Sequence, residues 1–145
     1  MIPFNSAHGI TVTALTQYSV TLRLPYKRSN LNHIKGLHAC ALATTSEYAT
    51  GLLLVSNLGF ADYRIIMQRL EMAYHYQGKM DATATFSISR DWLEQSIINP
   101  LDTVESVVIP CEIKTFDSSG NHLTTGHVHW QIKKWSRVKT SLSQA

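Results

Sequence analysis

Residues 36–59, GLHACALATTSEYATGLLLVSNLG, decide how this chain is read. The stretch is small or apolar on every side, so it predicts a helix buried around its whole circumference rather than along one stripe. A helix of that kind needs other elements to enclose it. Between Lys35 and Asp62 the one formal charge is Glu47. A lone carboxylate halfway along a buried helix is costly unless something pairs with it, hydrogen-bonds it or uses it. Glu47 is therefore the first candidate functional residue.

The chain on either side of the helix supplies strands. Ile10, Val12 and Ala14 share a face, and after a turn near Thr16 and Gln17 that face continues through Tyr18, Val20, Leu22 and Leu24 to Pro25. This predicts a hairpin with one buried side. Residues 63–77 read as a long strand, with Ile66, Leu70, Met72 and Tyr74 on one side and Met67, Arg69, Glu71 and His75 on the other. A turn at Gly78 and Lys79 would return it, as a second hairpin, into Ala82, Ala84, Phe86 and Ile88. Residues 90–99 place Trp92, Leu93, Ile97 and Ile98 at helical spacing, and Pro100 predicts the stop.

Strands resume over 103–116, with Val107, Ile109, Cys111 and Ile113 aligned, and over 123–135, with Val128, Trp130 and Ile132 inward. The sequence DSSGN at 117–121 makes the turn between them. Pro110 within the first of these predicts an edge position or a bulge. Residues 1–7 allow a short helix or arm with Pro3 in its first turn, and residues 139–145 read as a frayed tail. About six antiparallel strands, a long helix after the second and a short one after the fourth define an α+β fold. A curved antiparallel sheet wraps one long central helix, each burying the other's apolar face. With no internal repeat or linker, residues 1–145 read as a single domain.

Composition narrows the function. A hydrophobic fraction of 44% and a charged fraction of 16% exclude a disordered chain. So low a surface charge suits a protein that hides surface in an oligomer. Net charge is +3, and the one basic run, Lys133, Lys134, Arg137 and Lys139, is too sparse for a nucleic-acid face. It fits solvated charges on the last strand, or the phosphates of a small ligand. Cys40 and Cys111 are too few for a disulfide framework and read as buried thiols of a reducing cytoplasm. The start MIPFNSAHG lacks signal-peptide character and residues 51–55 are too short to span a bilayer, so a soluble cytoplasmic protein is expected. His127 and His129 share a strand face, with His122 or His75 as conceivable co-ligands, but no carboxylate or thiolate is evident nearby and no metal is expected. Tyr74, His75 and Tyr76 are either plain core or the lining of an acyl or aromatic pocket.

The order of elements, the PF-x-x-x-x-GI start at Pro3, Phe4, Gly9 and Ile10, the Asn-His loop at Asn32 and His33, the helix, the DSSG hairpin and the TGHVHW strand together resemble the hot-dog-fold thioesterase superfamily. Within it the chain is similar to an uncharacterised, domain-of-unknown-function branch next to the phenylacetate-pathway and 4-hydroxybenzoyl-CoA thioesterases. The most informative run is His38 to Glu47. In those thioesterases the corresponding run is His-Gly-Gly, apolar residues, then an acid at this spacing; here Ala39 and Cys40 replace the glycines. The resemblance implies an acyl-CoA hydrolase with CoA as part of the substrate and no other cofactor. In it Glu47 is general base or nucleophile, the Ala39 N–H polarises the thioester carbonyl, and His38 and Asn32 orient that carbonyl. It also implies a homodimer or dimer of dimers, with the helix start of one chain facing the acid of the other. Lys133, Lys134 and Arg137 could meet CoA phosphates.

The residues themselves leave alternatives open. Glu47 could be a structural carboxylate capped by Thr44, Thr45, Ser46 and Thr50. His38 could bond a loop carbonyl, and Asn32 could form a turn or cap. The replaced glycines favour a second function, a non-catalytic acyl-CoA or lipid-like binder. A hot-dog dehydratase is a third, for which no paired His and acid can be placed.

Overall fold

Alternation at period two gives the sheet one dry face. In the computed structural model, which describes residues 2–139, the elements are α1 (Pro3–Ser6), β1 (Thr11–Leu15), β2 (Ser19–Leu24), α2 (Ala39–Leu58), β3 (Tyr63–Tyr74), β4 (Ala82–Ser87), α3 (Arg90–Leu93), α4 (Pro100–Thr103), β5 (Ser106–Asp117) and β6 (His122–Lys134). The expected tail lies, beyond Lys139, outside the described residues. Val20, Leu22, Leu24, Ala84, Phe86, Ile109, Ile113, Val128 and Ile132 are all buried on the inner face. The six strands form one curved antiparallel sheet in the order β1-β2-β4-β5-β6-β3, wrapped around α2. The arm, the first hairpin, the central helix and the β5–β6 hairpin match the reading from sequence.

The second hairpin does not form. β3 pairs with β6 and β4 pairs with β2 and β5, so β3 occupies one edge of the sheet and β4 the middle of its other half. Gly78, placed in a turn by its sequence, is buried instead: a Cβ there would lie 2.9 Å from Leu123. The segment after β3 crosses the end of the sheet, its His75 N–H bonded to the Leu123 carbonyl. Local sequence specifies a turn but not which strand receives the chain.

β3 also carries a bulge at Gln68 that alternation cannot reveal. Met67 pairs with Trp130, but two residues later Arg69 pairs with His129, so the inward set is Ile65, Met67, Leu70, Met72 and Tyr74. Ile66, expected inward, faces out, and Met67, expected out, turns toward α2. β1, the far edge strand, is exposed along its whole length, against the expectation that Val12 and Ala14 would be covered, whereas Ile10 just before it packs against the core as expected.

Pro100 does not end the fourth-strand helix. A π-turn over Glu94–Ile98 closes with the Asn99 N–H on the Glu94 carbonyl, and Pro100 then opens a new turn that runs to Thr103. At a first helical position its missing N–H is not needed. Pro110 sits where β5 has parted from β4, whose last partner on β5 is Lys114, so the expected local edge is there.

α2 is buried on three sides only. Ala43, Thr44, Glu47, Tyr48, Leu52 and Val55 form a half-open stripe, and Cys40 at its start is exposed, whereas Cys111 is buried and its thiol is pushed up to about 12 by desolvation. The helix comes close to the sheet at Gly51, where an added Cβ would lie 2.7 Å from the Trp130 ring. That indole is itself fixed by its Nε1–H bond to Thr50 Oγ1 at 3.0 Å. Gly51→Ala is therefore expected to destabilise the protein by about 1–3 kcal/mol of overpacking, although alanine favours helix by about 1 kcal/mol over glycine. Urea unfolding measures the balance; a more stable variant would show that Trp130 moves aside.

Candidate active site

The start of α2 is built by the loop before it. Asn32 Oδ1 accepts the Ile34 and Gly36 N–H groups at 3.1 and 2.9 Å, and a Leu31–Leu37 bridge closes the loop around Lys35, which takes a left-handed φ of 60°. Asn32 is thus the turn-forming residue of the loop. Its Nδ2 has no bond within the described residues, and it lines a 480 Å³ cavity together with Ala39 and Tyr74. His38 is the N-cap: its Nδ1 accepts the Cys40 N–H at 3.0 Å, rather than the ring meeting a loop carbonyl. Its Nε2 is left for another partner.

Capping by His38 leaves the first helical N–H, that of Ala39, with no acceptor among the described residues. Tyr74 stands beside it, its hydroxyl donating to the Ala39 carbonyl at 2.9 Å, and burial holds that phenol above its ordinary range. Tyr74, His75 and Tyr76 line this cavity rather than the core.

Glu47 lies eight residues further on, about 12 Å along the axis. It is half-buried, and burial raises its carboxyl above the usual carboxylate range. No described side chain pairs with it. Three of the four hydroxyls expected to cap it turn onto their own helix instead, Thr44 donating to the Cys40 carbonyl, Thr45 to Ala41 and Thr50 to Ser46, and that of Ser46 has no partner among the described residues. The carboxylate stands where two apolar cavities adjoin. One, of 380 Å³, is lined by Phe4, Asn5, Cys40, Met67 and Leu70; the other, of 350 Å³, by Tyr48, Leu52, Phe60, Ile65 and Trp130. Ile2 borders both.

Within one chain, then, Asn32 and Ala39 share a cavity, and Glu47 belongs to another. The contributions of α1 and of Met67 were not legible in the sequence. The first needed the path of the arm, the second the bulge.

The other candidates are placed elsewhere. His127 and His129 lie on the outer face, 4.0 Å from Glu112 and 3.9 Å from Glu71, so carboxylates do stand nearby. His122 stacks on Phe116 at the end of the hairpin, 4.5 Å from His75 between ring centroids. Among the described residues no group of three or more His, Cys, Asp or Glu could hold a metal ion. Lys133 bonds Glu105, Lys134 bonds Asp102 at 2.8 Å, and Arg137 reaches the Val104 and Asp102 carbonyls. These cations tie the end of β6 to the corner before β5, rather than lining any of the three cavities. No helix among the described residues is long and apolar enough to cross a membrane.

A six-stranded antiparallel sheet wrapped around one long helix defines a hot-dog-fold protein. Solved structures share it. A protein of unknown function and probable thioesterase from Pseudomonas aeruginosa superposes with a TM-score of 0.85 at 21% identity, over 92% of this chain and 88% of that one. A thioesterase from Staphylococcus aureus gives 0.72 at 15% identity, over 90% and 98%. A protein of unknown function from Chlorobaculum tepidum gives 0.79 at 12% identity, over 92% and 87%. These likenesses establish the fold. No functionally curated protein matches the sequence. The chain belongs to the family described as Domain of unknown function (DUF4442), which matches residues 1–139.

The raised carboxyl of Glu47 makes stability depend on pH. With its folded pKa above the unfolded one, its ionisation opposes folding: the contribution is intact below the ordinary glutamate range near pH 4.5 and is lost as pH rises through the folded value. Glu47→Gln is therefore expected to melt higher than wild type at neutral pH, the gap closing toward pH 4.5. Thermal melts across pH measure it; a gap that persists unchanged in acid would show another origin.

Proposed function

We propose that the protein is an acyl-thioester hydrolase, with acyl-CoA as the substrate class and CoA as part of the substrate rather than a cofactor. The observation that carries this reading is Glu47, a carboxylate in an apolar cavity without a partner among the described residues, raised toward the range of a useful base. The unbonded Ala39 N–H at the start of a 20-residue helix supports the complementary role, a donor aimed at the oxygen where negative charge develops. Two of the structurally similar proteins described above carry a thioesterase description.

In the proposed reaction the substrate carbonyl accepts the Ala39 N–H, with the Asn32 amide and His38 positioned to orient it. Glu47 takes a proton from water as the water oxygen bonds to the carbonyl carbon. The C–S bond then breaks, its electron pair leaves on sulfur, and the thiolate takes up the proton. Because Ala39 and Glu47 belong to different cavities of one chain, the reaction centre is completed by two chains. β3 favours such a pairing: it is a 12-residue edge strand with Ile66 and Met67 exposed, next to the open stripe of α2. A second copy placed edge to edge against it makes a homodimer, and the solvated outer face leaves room for a dimer of dimers. The exposed thiol of Cys40 suits a reducing cytoplasm.

A second reading, a non-catalytic binder of acyl-CoA, is favoured by one observation. Cys40, which stands where related thioesterases have glycine, places a side chain in the Glu47 cavity.

Hydrolysis of a panel of acyl-CoA and aryl-CoA thioesters separates the two. The hydrolase reading expects turnover by wild type and a loss of about 10²–10⁴-fold in Glu47→Gln. Ala39→Pro is a specific probe of the donor. It deletes the one N–H at a first helical position that tolerates proline, and His38, at φ −67° and ψ 137°, already has the extended backbone that must precede it. Its kcat is expected to fall about 10²–10³-fold with the fold retained. Binding of acyl-CoA without turnover would leave the binder reading, and a monomer in size-exclusion chromatography would remove the two-chain site.

A further inference from the structure

The α1 arm brings an amide to the carboxylate cavity. Asn5 is 5% exposed, whereas Ile2 and Phe4 beside it are 52% and 67% exposed, so the short helix turns its polar residue in and its apolar residues out. That inversion is not a packing preference: asparagine is mostly a surface residue, and large apolar side chains are not. The segment that follows is pinned. Asn30, fully buried, donates through Nδ2 to the His8 and Pro25 carbonyls at 2.8 and 2.9 Å, and Lys27 Nζ donates to the Ala7 carbonyl at 3.2 Å.

Asn5 lines the cavity that holds Glu47, and its Nδ2 has no hydrogen-bond partner among the described residues. A buried amide left unpaired is costly and marks a group awaiting a partner. The other polar side chains of the cavity do not compete for this role. Thr44 gives its proton to the Cys40 carbonyl, and ionised Glu47 can only accept. Among the described residues of the lining, Asn5 carries the one side-chain nitrogen. Rotation about χ2, a soft torsion, turns Nδ2 toward the cavity without moving the backbone.

We propose that Asn5 holds the attacking water of the Glu47 site. Water has two protons and two lone pairs. One lone pair accepts from Asn5 Nδ2, one proton is donated to the Glu47 carboxylate, and the second lone pair is left to attack the thioester carbon. In the step the O–C bond forms, the O–H proton passes to Glu47, and the C–S pair leaves on sulfur; Asn5 changes neither charge nor bonding partners. The inference rests on the hydrolase reading above and adds to it the orientation of the nucleophile.

Two variants test it, assayed on the thioester that wild type cleaves best. Asn5→Leu keeps the size and removes the unpaired polar group, so its melting temperature is expected to hold or rise. Its kcat falls about 10²-fold with KM unchanged, as for a misplaced reactant. Asn5→Asp keeps the size but exchanges the donor for an acceptor, so its plateau kcat falls about 10²-fold as well, while the second carboxylate beside Glu47 raises the pKa of Glu47 and moves the acid limb of the kcat profile to higher pH. A folded Asn5→Leu enzyme with wild-type kcat overturns the proposal, as does a folded Asn5→Asp enzyme with a wild-type plateau kcat or an unmoved profile. Should Asn5→Leu fail to fold, the plateau kcat and profile of Asn5→Asp decide alone. A wild type inactive on every thioester of the panel removes the hydrolase reading and this inference together, whereas failure of the Asn5 role alone appears as an active wild type matched by its variants.

Discussion

The structure depends on keeping α2 dry on three sides although its sequence is not wholly apolar. Thr45, Ser46 and Thr50 are fully buried against the sheet. Such residues disfavour a helix interior in water because their hydroxyls compete for backbone groups. Here the competition is turned inward: Thr44, Thr45 and Thr50 bond carbonyls of the preceding turn of the same helix, and Thr50 also accepts the Trp130 N–H. Apart from the Ser46 hydroxyl, the buried hydroxyls of the helix are satisfied by its own carbonyls, and it needs little from the sheet but shape. Gly51 supplies the shape by letting the Trp130 ring approach.

That arrangement divides the core. The second half of α2 packs with Leu22, Phe86, Ile109, Val128 and Ile132, and its first half packs with Leu24, Leu37, Ala82 and Leu123. Between them lies a polar layer to which Ser46, Thr115 and Thr124 contribute hydroxyls without partners among the described residues. Thr115 and Thr124 face each other across β5 and β6. The larger cluster anchors the helix, and the smaller one joins its start to the loop that presents Asn32 and Ala39.

The fourth side of α2 is where the fold becomes a site. The Gln68 bulge turns Met67 inward and keeps Leu70 in phase, giving the Glu47 cavity an apolar wall. α1 adds Ile2, Phe4 and Asn5 from the other side. Asn30 connects these parts, since it holds the arm through His8 while its own carbonyl accepts the His38 N–H at 2.7 Å. The arm, the loop and the helix start therefore share one buried asparagine. A change at any of them is transmitted to the others through direct hydrogen bonds.

Beyond what the resemblance to hot-dog thioesterases implied for His38, Ala39 and Asn32, the sequence by itself determined the enclosure of one long helix by a sheet of about six strands, the β1–β2 and β5–β6 hairpins, and the choice of Glu47 as a residue to watch. It could do so because those features are local: period-two alternation, the DSSGN turn, and a single charge in an apolar helix. Pairing partners and register were not local. Whether β3 returns on β4 or crosses to β6 depends on partners far away in the chain, and a one-residue bulge reverses every side chain beyond it. Only the tertiary structure decided that Asn5 is buried, that Cys40 and β1 are exposed, that the threonines bond their own helix rather than Glu47, and that Ala39 and Glu47 open into separate cavities. Each of these depends on atoms brought together from distant parts of the chain, a relation that spacing along the sequence does not encode.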